Sequence, residues 1–334
     1  MRPTRRFLLV ATCAFLAACG NAPARDRALT VPAAAPTPTQ PTLGGAWQPP
    51  AGLTQVPLWP GTPPDAVTTR LLETTSTATN PRRFAGRPVT GVYDVSIPTM
   101  TVFPAKTRPT GSAVVVFPGG GFQQLAIDLE GSEACDWLTA KGVTCVLVKY
   151  RVPGSNHFYD AACNCHRTPA HLTALQDAQR AIRLVRARAA ALHIDPRKIG
   201  VLGFSAGGYL VAQTSNILAP AYTPVDATDG VSSRPDFAMA LYPGHICRAG
   251  GAFDPGLRVT DQAPPTFIAQ AWDDPVDPIC NSLLYARALD LAGVPAEVHL
   301  FAKGGHAFGH RRAAGNVGTW TMLADAWLAQ IGML

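Results

Sequence analysis

The chain has 334 residues, 47% of them hydrophobic and 15% charged, which supports a sizeable core in one large α/β domain or two small ones. Its formal net charge of +6 falls to +3 once Arg2, Arg5 and Arg6 are set aside, leaving 25 basic residues against 22 acidic. That near-neutral balance, with no Lys/Arg cluster interleaved with aromatics, excludes a nucleic-acid-binding footprint.

Arg2, Arg5 and Arg6 precede an apolar run of twelve residues, Phe7 to Ala18, which is too short to span a bilayer and reads as residues 1–18 of an export signal. Leu16-Ala17-Ala18-Cys19-Gly20 resembles the bacterial lipoprotein signal, whose cysteine is diacylated and becomes the new amino terminus. By that resemblance Cys19 is the lipid attachment residue, the membrane is a partner through this anchor, and Gly20 implies outer-membrane sorting. The alternative is an ordinary secretory signal cleaved near the same place, and either exports the protein. Residues 19–50 follow as a Pro/Ala/Thr-rich tether, with seven prolines between 20 and 50 and little apolar mass to offset ordering entropy. The folded domain is expected over 51–334.

From residue 89 onward, strand-like and helix-like segments alternate. Val89–Val95 and Thr101–Phe103 are expected to form an opening hairpin. Ala113–Phe117 is a β-branched strand ending in Pro118-Gly119-Gly120-Gly121, followed by a helix over Gly131–Lys141 and a buried strand over Val143–Tyr150. Leu175, Ala178, Ile182, Val185 and Ala189 recur at helical spacing within Ala174–Leu192, with Arg180, Arg183, Arg186 and Arg188 largely outside that stripe. Next come strand Ile199–Leu202, strand Phe237–Tyr242, strand Thr266–Ala271, helix Asn281–Ala292, strand Glu297–Phe301 and helix Thr319–Ile331. This alternation predicts an α/β fold with a mostly parallel central sheet and helices on both faces.

Six cysteines lie beyond the signal: Cys135, Cys145, Cys163, Cys165, Cys247 and Cys280. They allow fifteen pairings, and sequence does not choose among them. Cys145 falls within a strand and reads as a buried inert thiol. Cys247 with Cys280 is the preferred pair, because both lie in loops expected at one end of the sheet. Cys163, Cys165 and His166 lie close together in a loop, yet no metal or other cofactor is expected.

Ligands in open parallel sheets bind beyond the carboxyl ends of the strands, so residues just past each strand are the chemical candidates. Gly203-Phe204-Ser205-Ala206-Gly207 stands between a strand and a helix, which is the setting of a nucleophile elbow. The pentapeptide alone recurs by chance, and its flanking elements give it weight. Ser205 needs a base, for which His306 is the candidate; a carboxylate must orient the ring, and Asp274 is chosen over its rivals Asp273 and Asp277. For those two the bland alternative is capping the following helix or bracing the loop. Backbone N–H groups of Ala206 and of Gly120 or Gly121 are candidate oxyanion donors. His245 and His310 are candidates for the pocket rim; His157 and His166 are expected to be solvated or structural, and His171, His193 and His299 structural or exposed. Activity is expected to fall as pH drops through roughly 6, where an imidazole takes up its proton.

Together, Phe117-Pro-Gly-Gly-Gly-Phe122, Val148-Lys-Tyr-Arg151, Leu175-Gln-Asp-Ala-Gln-Arg-Ala181, Gly203-Phe-Ser-Ala-Gly-Gly208, Asp273-Asp-Pro-Val-Asp-Pro278 and Gly304-Gly-His-Ala-Phe-Gly309 resemble the acetylxylan-esterase-like branch of the α/β-hydrolases, over residues 92–331. The resemblance implies the α/β-hydrolase fold for 51–334, Ser205 as nucleophile, Asp274 as acid, His306 as base, and Gly120, Gly121 and Ala206 as the oxyanion hole. It also implies an acylated carbohydrate or small ester as substrate, acetyl esters of xylan foremost. A general short-chain carboxylesterase and a non-catalytic glycan-binding surface lipoprotein are the alternatives. Ala307, Gln270 and Ala271 depart from the branch, which often has Gly after the histidine and His-Gly before the acidic turn.

Overall fold

In a computed structural model, which describes residues 47–66, 72–76, 83–152, 159–160, 165–166, 173–311 and 316–334, the run Ala113–Phe117 is a strand buried at every position. Such uniform burial is what a β-branched run meets in the middle of a sheet covered on both faces. The same holds for Thr144–Lys149, Ile199–Phe204, Phe237–Leu241 and Thr266–Ala271, each buried throughout.

The main sheet has eight strands: β1 Gln55–Pro57, β2 Thr99–Phe103, β3 Ala113–Phe117, β4 Thr144–Lys149, β5 Ile199–Phe204, β6 Phe237–Leu241, β7 Thr266–Ala271 and β8 Ala296–Phe301. Their spatial order is β1-β2-β4-β3-β5-β6-β7-β8. β1 and β2 pair antiparallel at one side, and every pairing from β4 to β8 is parallel. The chain therefore leaves β3 toward β4 on one side and enters β5 on the other. Strand order reverses at β3/β5, which is where a crevice opens beyond the carboxyl ends. Register pairs Gly203 with Phe117, Phe204 with Leu241, and Ala271 with Phe301, so the segments that follow these strands emerge along one edge.

Five helices, α1 Glu133–Ala140, α2 Thr173–Ala187, α3 Ala206–Asn216, α4 Cys280–Leu291 and α5 Trp320–Gln330, pack against the sheet. α3 meets α4 through Asn216 Nδ2, which donates to Tyr285 Oη at 3.2 Å. α1 and α5 join through the Trp137–Trp320 ring contact (5.1 Å) and the Lys141–Asp325 ion pair.

Three expectations are corrected here. No hairpin joins the segments at 89–103: Gly91–Tyr93 pairs with Thr74–Thr75 and Gln124–Ala126 in a separate small sheet, whereas β2 pairs with β1 and β4. Local alternation cannot reveal a distant partner. Cys145 is not a free thiol but is bonded to Cys135 of α1, both fully buried. Arg180 and Arg183 are buried, because the turn Ala227–Gly230 closes over that side of α2: Arg180 Nη1 donates to Asp226 at 2.8 Å and Asp229 at 2.9 Å, and Arg183 donates to Tyr222 Oη at 2.7 Å. Cys247 and Cys280 form the expected disulfide. The signal 1–18, Cys19, the tether as far as residue 46, His157, Cys163 and His171 lie outside the described residues. For Cys165 and His166 only the backbone is described, pairing antiparallel with Tyr159–Asp160.

Candidate active site

Ser205 sits between β5 and α3 at φ 52° and ψ −118°, a conformation that L-residues rarely adopt and that costs of order 1–3 kcal/mol. Its flanks explain the glycines. A Cβ at Gly203 would run into the Gly207 carbonyl, and one at Gly207 into the Phe117 carbonyl of β3. The turn is fixed further by the Ser205 N–H, which donates to Leu241 O at 3.0 Å, and by Gly244 N–H, which donates to Ser205 O at 3.2 Å.

His306 faces this hydroxyl, its Nε2 lying 3.1 Å from Ser205 Oγ. Its Nδ1 lies 2.8 Å from Asp274 Oδ2. With the ring N–H donated to Asp274 from Nδ1, Nε2 is left as acceptor for the Ser205 O–H. Asp274 is itself aimed, its Oδ1 accepting the backbone N–H groups of Val276 (2.8 Å) and Asp277 (2.9 Å). The histidine's pKa lies above its ordinary 6.5: burial opposes the cation, but the Asp274 hydrogen bond and the charges of Asp277, Asp274 and Glu130 outweigh it. The acid limb expected near 6 accordingly moves upward.

The rival carboxylates have separate places. Asp273 Oδ1 accepts the N–H groups of Gly304 and Gly305 at 2.8 Å each, tying the acid loop to the histidine loop. Those N–H groups, that of Gly305 foremost, hold its carboxyl below the usual range. Asp277 is turned inward, and Ser205 Oγ donates to its Oδ2 at 3.2 Å. Neither caps α4, whose N-cap is Ile279 with no side-chain bond.

Ala206 is the first residue of α3, so its N–H precedes the helix's own hydrogen-bond ladder. On the other wall, Gly119 lies against Ser205 and its N–H donates to Glu130 Oε2 at 2.8 Å. Gly120 and Gly121 then follow with φ of 131° and 63°, values that suit glycine. Glu130 had escaped sequence reasoning, since an acidic residue ahead of a helix reads as solvated. It is buried; its Oε1 accepts from Tyr242 Oη at 2.8 Å, and that hydroxyl accepts from Gly309 N–H at 3.1 Å. Burial first, then the Glu130 charge, push the Tyr242 phenol well above its usual pKa, so it remains a donor. One carboxylate thus connects the glycine turn to the histidine loop.

Gln270, one of the departures from the family pattern, is fully buried and braces the acid loop: its Nε2 donates to Asp277 O at 2.6 Å and its Oε1 accepts from Ser282 Oγ at 2.5 Å. His245 is buried beside the site, with Tyr209 at 5.3 Å and Phe122 at 5.7 Å between ring centroids. His310 does not rim the site. Its ring is packed among Trp137, Trp320 and Phe204, and burial lowers its pKa to about 3.

This chain is 30% identical, with a TM-score of 0.65, to the crystal structure of an acetyl ester-xyloside bifunctional hydrolase from Caldicellulosiruptor lactoaceticus, over 84% of this chain and 97% of that one. It belongs to the α/β-hydrolases. Within that superfamily, the BD-FAE family model matches residues 101–219, which span β3, the nucleophile turn and α3. An acetylxylan esterase of Xylanibacter ruminicola is 28% identical over 249 residues, 67% of this chain and 45% of that protein. The chain spans less than half the length of the curated relatives it matches. A thermophilic α/β-hydrolase esterase of Thermogutta terrifontis, solved with propionate bound, is 27% identical with a TM-score of 0.58, over 71% of this chain and 91% of that chain.

Proposed function

We propose that this α/β-hydrolase is a serine esterase that removes short acyl groups, acetyl foremost, from carbohydrate such as acetylated xylan. The observation that carries the reading is the single imidazole held between Asp274 at 2.8 Å and Ser205 at 3.1 Å. Ser205 Oγ attacks the ester carbonyl carbon as its proton passes to His306 Nε2, and the carbonyl π electrons move to oxygen. Backbone N–H groups of Ala206 and of Gly120 or Gly121 receive that oxyanion, because the Gly119 N–H is committed to Glu130. Collapse breaks the bond to the alcohol oxygen, which takes the proton from His306. Water, deprotonated by the same ring, then attacks the acyl-enzyme; the carboxylic acid leaves and Ser205 regains its proton. Asp274 stabilises the imidazolium in both halves. Similarity to the hydrolase from Caldicellulosiruptor lactoaceticus and to the Xylanibacter ruminicola acetylxylan esterase supports the carbohydrate substrate.

Acetate release from acetylated xylan, set against 4-nitrophenyl esters of rising chain length, tests this reading. A preference for acetylated xylan supports it; hydrolysis of the small esters without release from xylan leaves the second reading, a general short-chain carboxylesterase. That alternative is favoured by the likeness to the propionate-bound esterase. Retained glycan binding with turnover unchanged in Ser205→Ala would return the non-catalytic binding reading.

The sequence motif at Cys19 supports export as an outer-membrane lipoprotein, with the tether carrying the domain away from the lipid. Replacing Cys19 by Ser is expected to release the protein from membranes and leave purified activity intact. Membrane retention of that variant would contradict the anchor.

A further inference from the structure

Asp277 does none of the work expected of an aspartate at its position. It is not the orienting acid, since His306 Nδ1 is held by Asp274, and it does not cap α4. Its side chain is 6% exposed, and its Oδ2 stands 3.2 Å from Ser205 Oγ and 3.8 Å from His306 Nε2. The carboxylate also fills the space beside Gly244 that a Cβ there would need, with Oδ1 2.8 Å from that position. Its backbone is pinned on both sides, the N–H donating to Asp274 Oδ1 and the carbonyl accepting from Gln270 Nε2. The group is thus held at the reaction centre rather than resting there.

For bond-breaking alone this placement is unhelpful. Ser205 has one hydroxyl proton and two acceptors for it, at 3.1 and 3.2 Å, and a bond to Asp277 leaves the base unengaged. A buried carboxylate also repels an oxyanion forming nearby. A hydrogen-bond donor brought by the substrate resolves both conflicts. The alcohol oxygen of the ester must come within reach of His306 Nε2 to take its proton. Asp277 Oδ2 lies on that same side of the nucleophile. A hydroxyl on the adjacent carbon of the alcohol stands one hydrogen-bond length from the ester oxygen, within range of that carboxylate.

We propose that Asp277 is a specificity-determining residue whose carboxylate accepts a hydrogen bond from the hydroxyl neighbouring the ester, so that the site favours monoesters of vicinal diols, the pattern of a partly acylated sugar. This inference rests on the esterase reading above and names the feature of the substrate that the site selects. The bound hydroxyl satisfies Asp277 and leaves His306 as the acceptor for the Ser205 proton. An ester with no such donor buries a carboxylate whose partner is missing, which is how a polar site rejects an analogue lacking a hydroxyl.

The test compares acetate release from trans-2-hydroxycyclohexyl acetate and from cyclohexyl acetate, which differ only in the neighbouring hydroxyl. In the wild-type protein the ratio of kcat/KM values is expected to favour the hydroxy ester by about 10- to 100-fold, the worth of a hydrogen bond to a charged acceptor. In Asp277→Val the ratio should collapse toward unity whatever happens to either absolute rate. Asp277→Asn, which keeps the side-chain shape should Val disturb the loop, should give a ratio between the two. A wild-type ratio near unity, or an unchanged ratio in both variants, overturns the proposal while leaving the esterase reading intact. Failure of the wild-type protein to cleave either acetate or 4-nitrophenyl acetate, or full activity in Ser205→Ala, defeats the esterase reading and this inference with it.

Discussion

The turn carrying Ser205 is held by its near neighbours and the adjacent strands: glycines at 203 and 207 leave room for two backbone carbonyls, and the strain at 205 is locked between β5 and α3. The loop carrying Asp274 emerges at the same edge of the sheet but is held from farther away along the chain. Asp273 reaches to Gly304 and Gly305, Asp274 to His306, Asp277 to Ser205, and the Cys247–Cys280 disulfide joins the following helix to the segment after β6. In the turn, geometry follows from sterics within a few residues. In the loop, three aspartates within five positions acquire three different tasks only through what folds against them.

Substitutions can break this contrast. The largest effect is expected at the turn: Ser205→Ala should lower kcat for 4-nitrophenyl acetate by about 10⁴- to 10⁶-fold with little change in Tm. Residual turnover close to wild type would remove Ser205 from the chemistry. In the loop, Asp274→Asn should cost about 10⁴-fold in kcat, because the amide favours the wrong imidazole tautomer; a loss of only a few-fold would mean that another carboxylate orients the ring. Gly207→Ala separates steric from chemical causes. Forcing a Cβ against the Phe117 carbonyl should destabilise the fold by about 1–3 kcal/mol, read as a lower Tm in thermal unfolding.

Acidification probes the loop as a whole. The neutral ring is the base, so kcat/KM should fall as pH drops through the raised pKa of His306, with the half-point above 6.5 and about tenfold loss per unit below it. A half-point below 6.5 would mean that the three carboxylates do not act on the ring as their placement implies. The smallest effect belongs to Asp273→Ala, which removes an exposed clamp: about 0.5–1.5 kcal/mol, seen as a modest loss of kcat with KM nearly unchanged.

Much of this site was legible before any coordinates. Ser205 stood in a pattern with a steric cause, His306 and Asp274 followed strands whose ends converge, and Cys247 with Cys280 lay in loops at that end. Glu130 was not legible, because its burial depends on Tyr242 and Gly119 folding over it from 112 and 11 residues away. Arg180 and Arg183 misled for the same reason, their helical face being covered by a turn that begins at Ala227.

By itself the sequence determined the alternation of strands and helices, the parallel sheet and the strained serine turn. Each follows from periodicity or from sterics acting over a few residues. The tertiary structure alone decided the partner strands of Gly91–Tyr93 and Thr99–Phe103, the disulfide at Cys145, and which aspartate faces which nitrogen of His306. These depend on contacts between distant segments, where a shift of an ångström exchanges one hydrogen-bond partner for another and leaves no periodic trace in the chain.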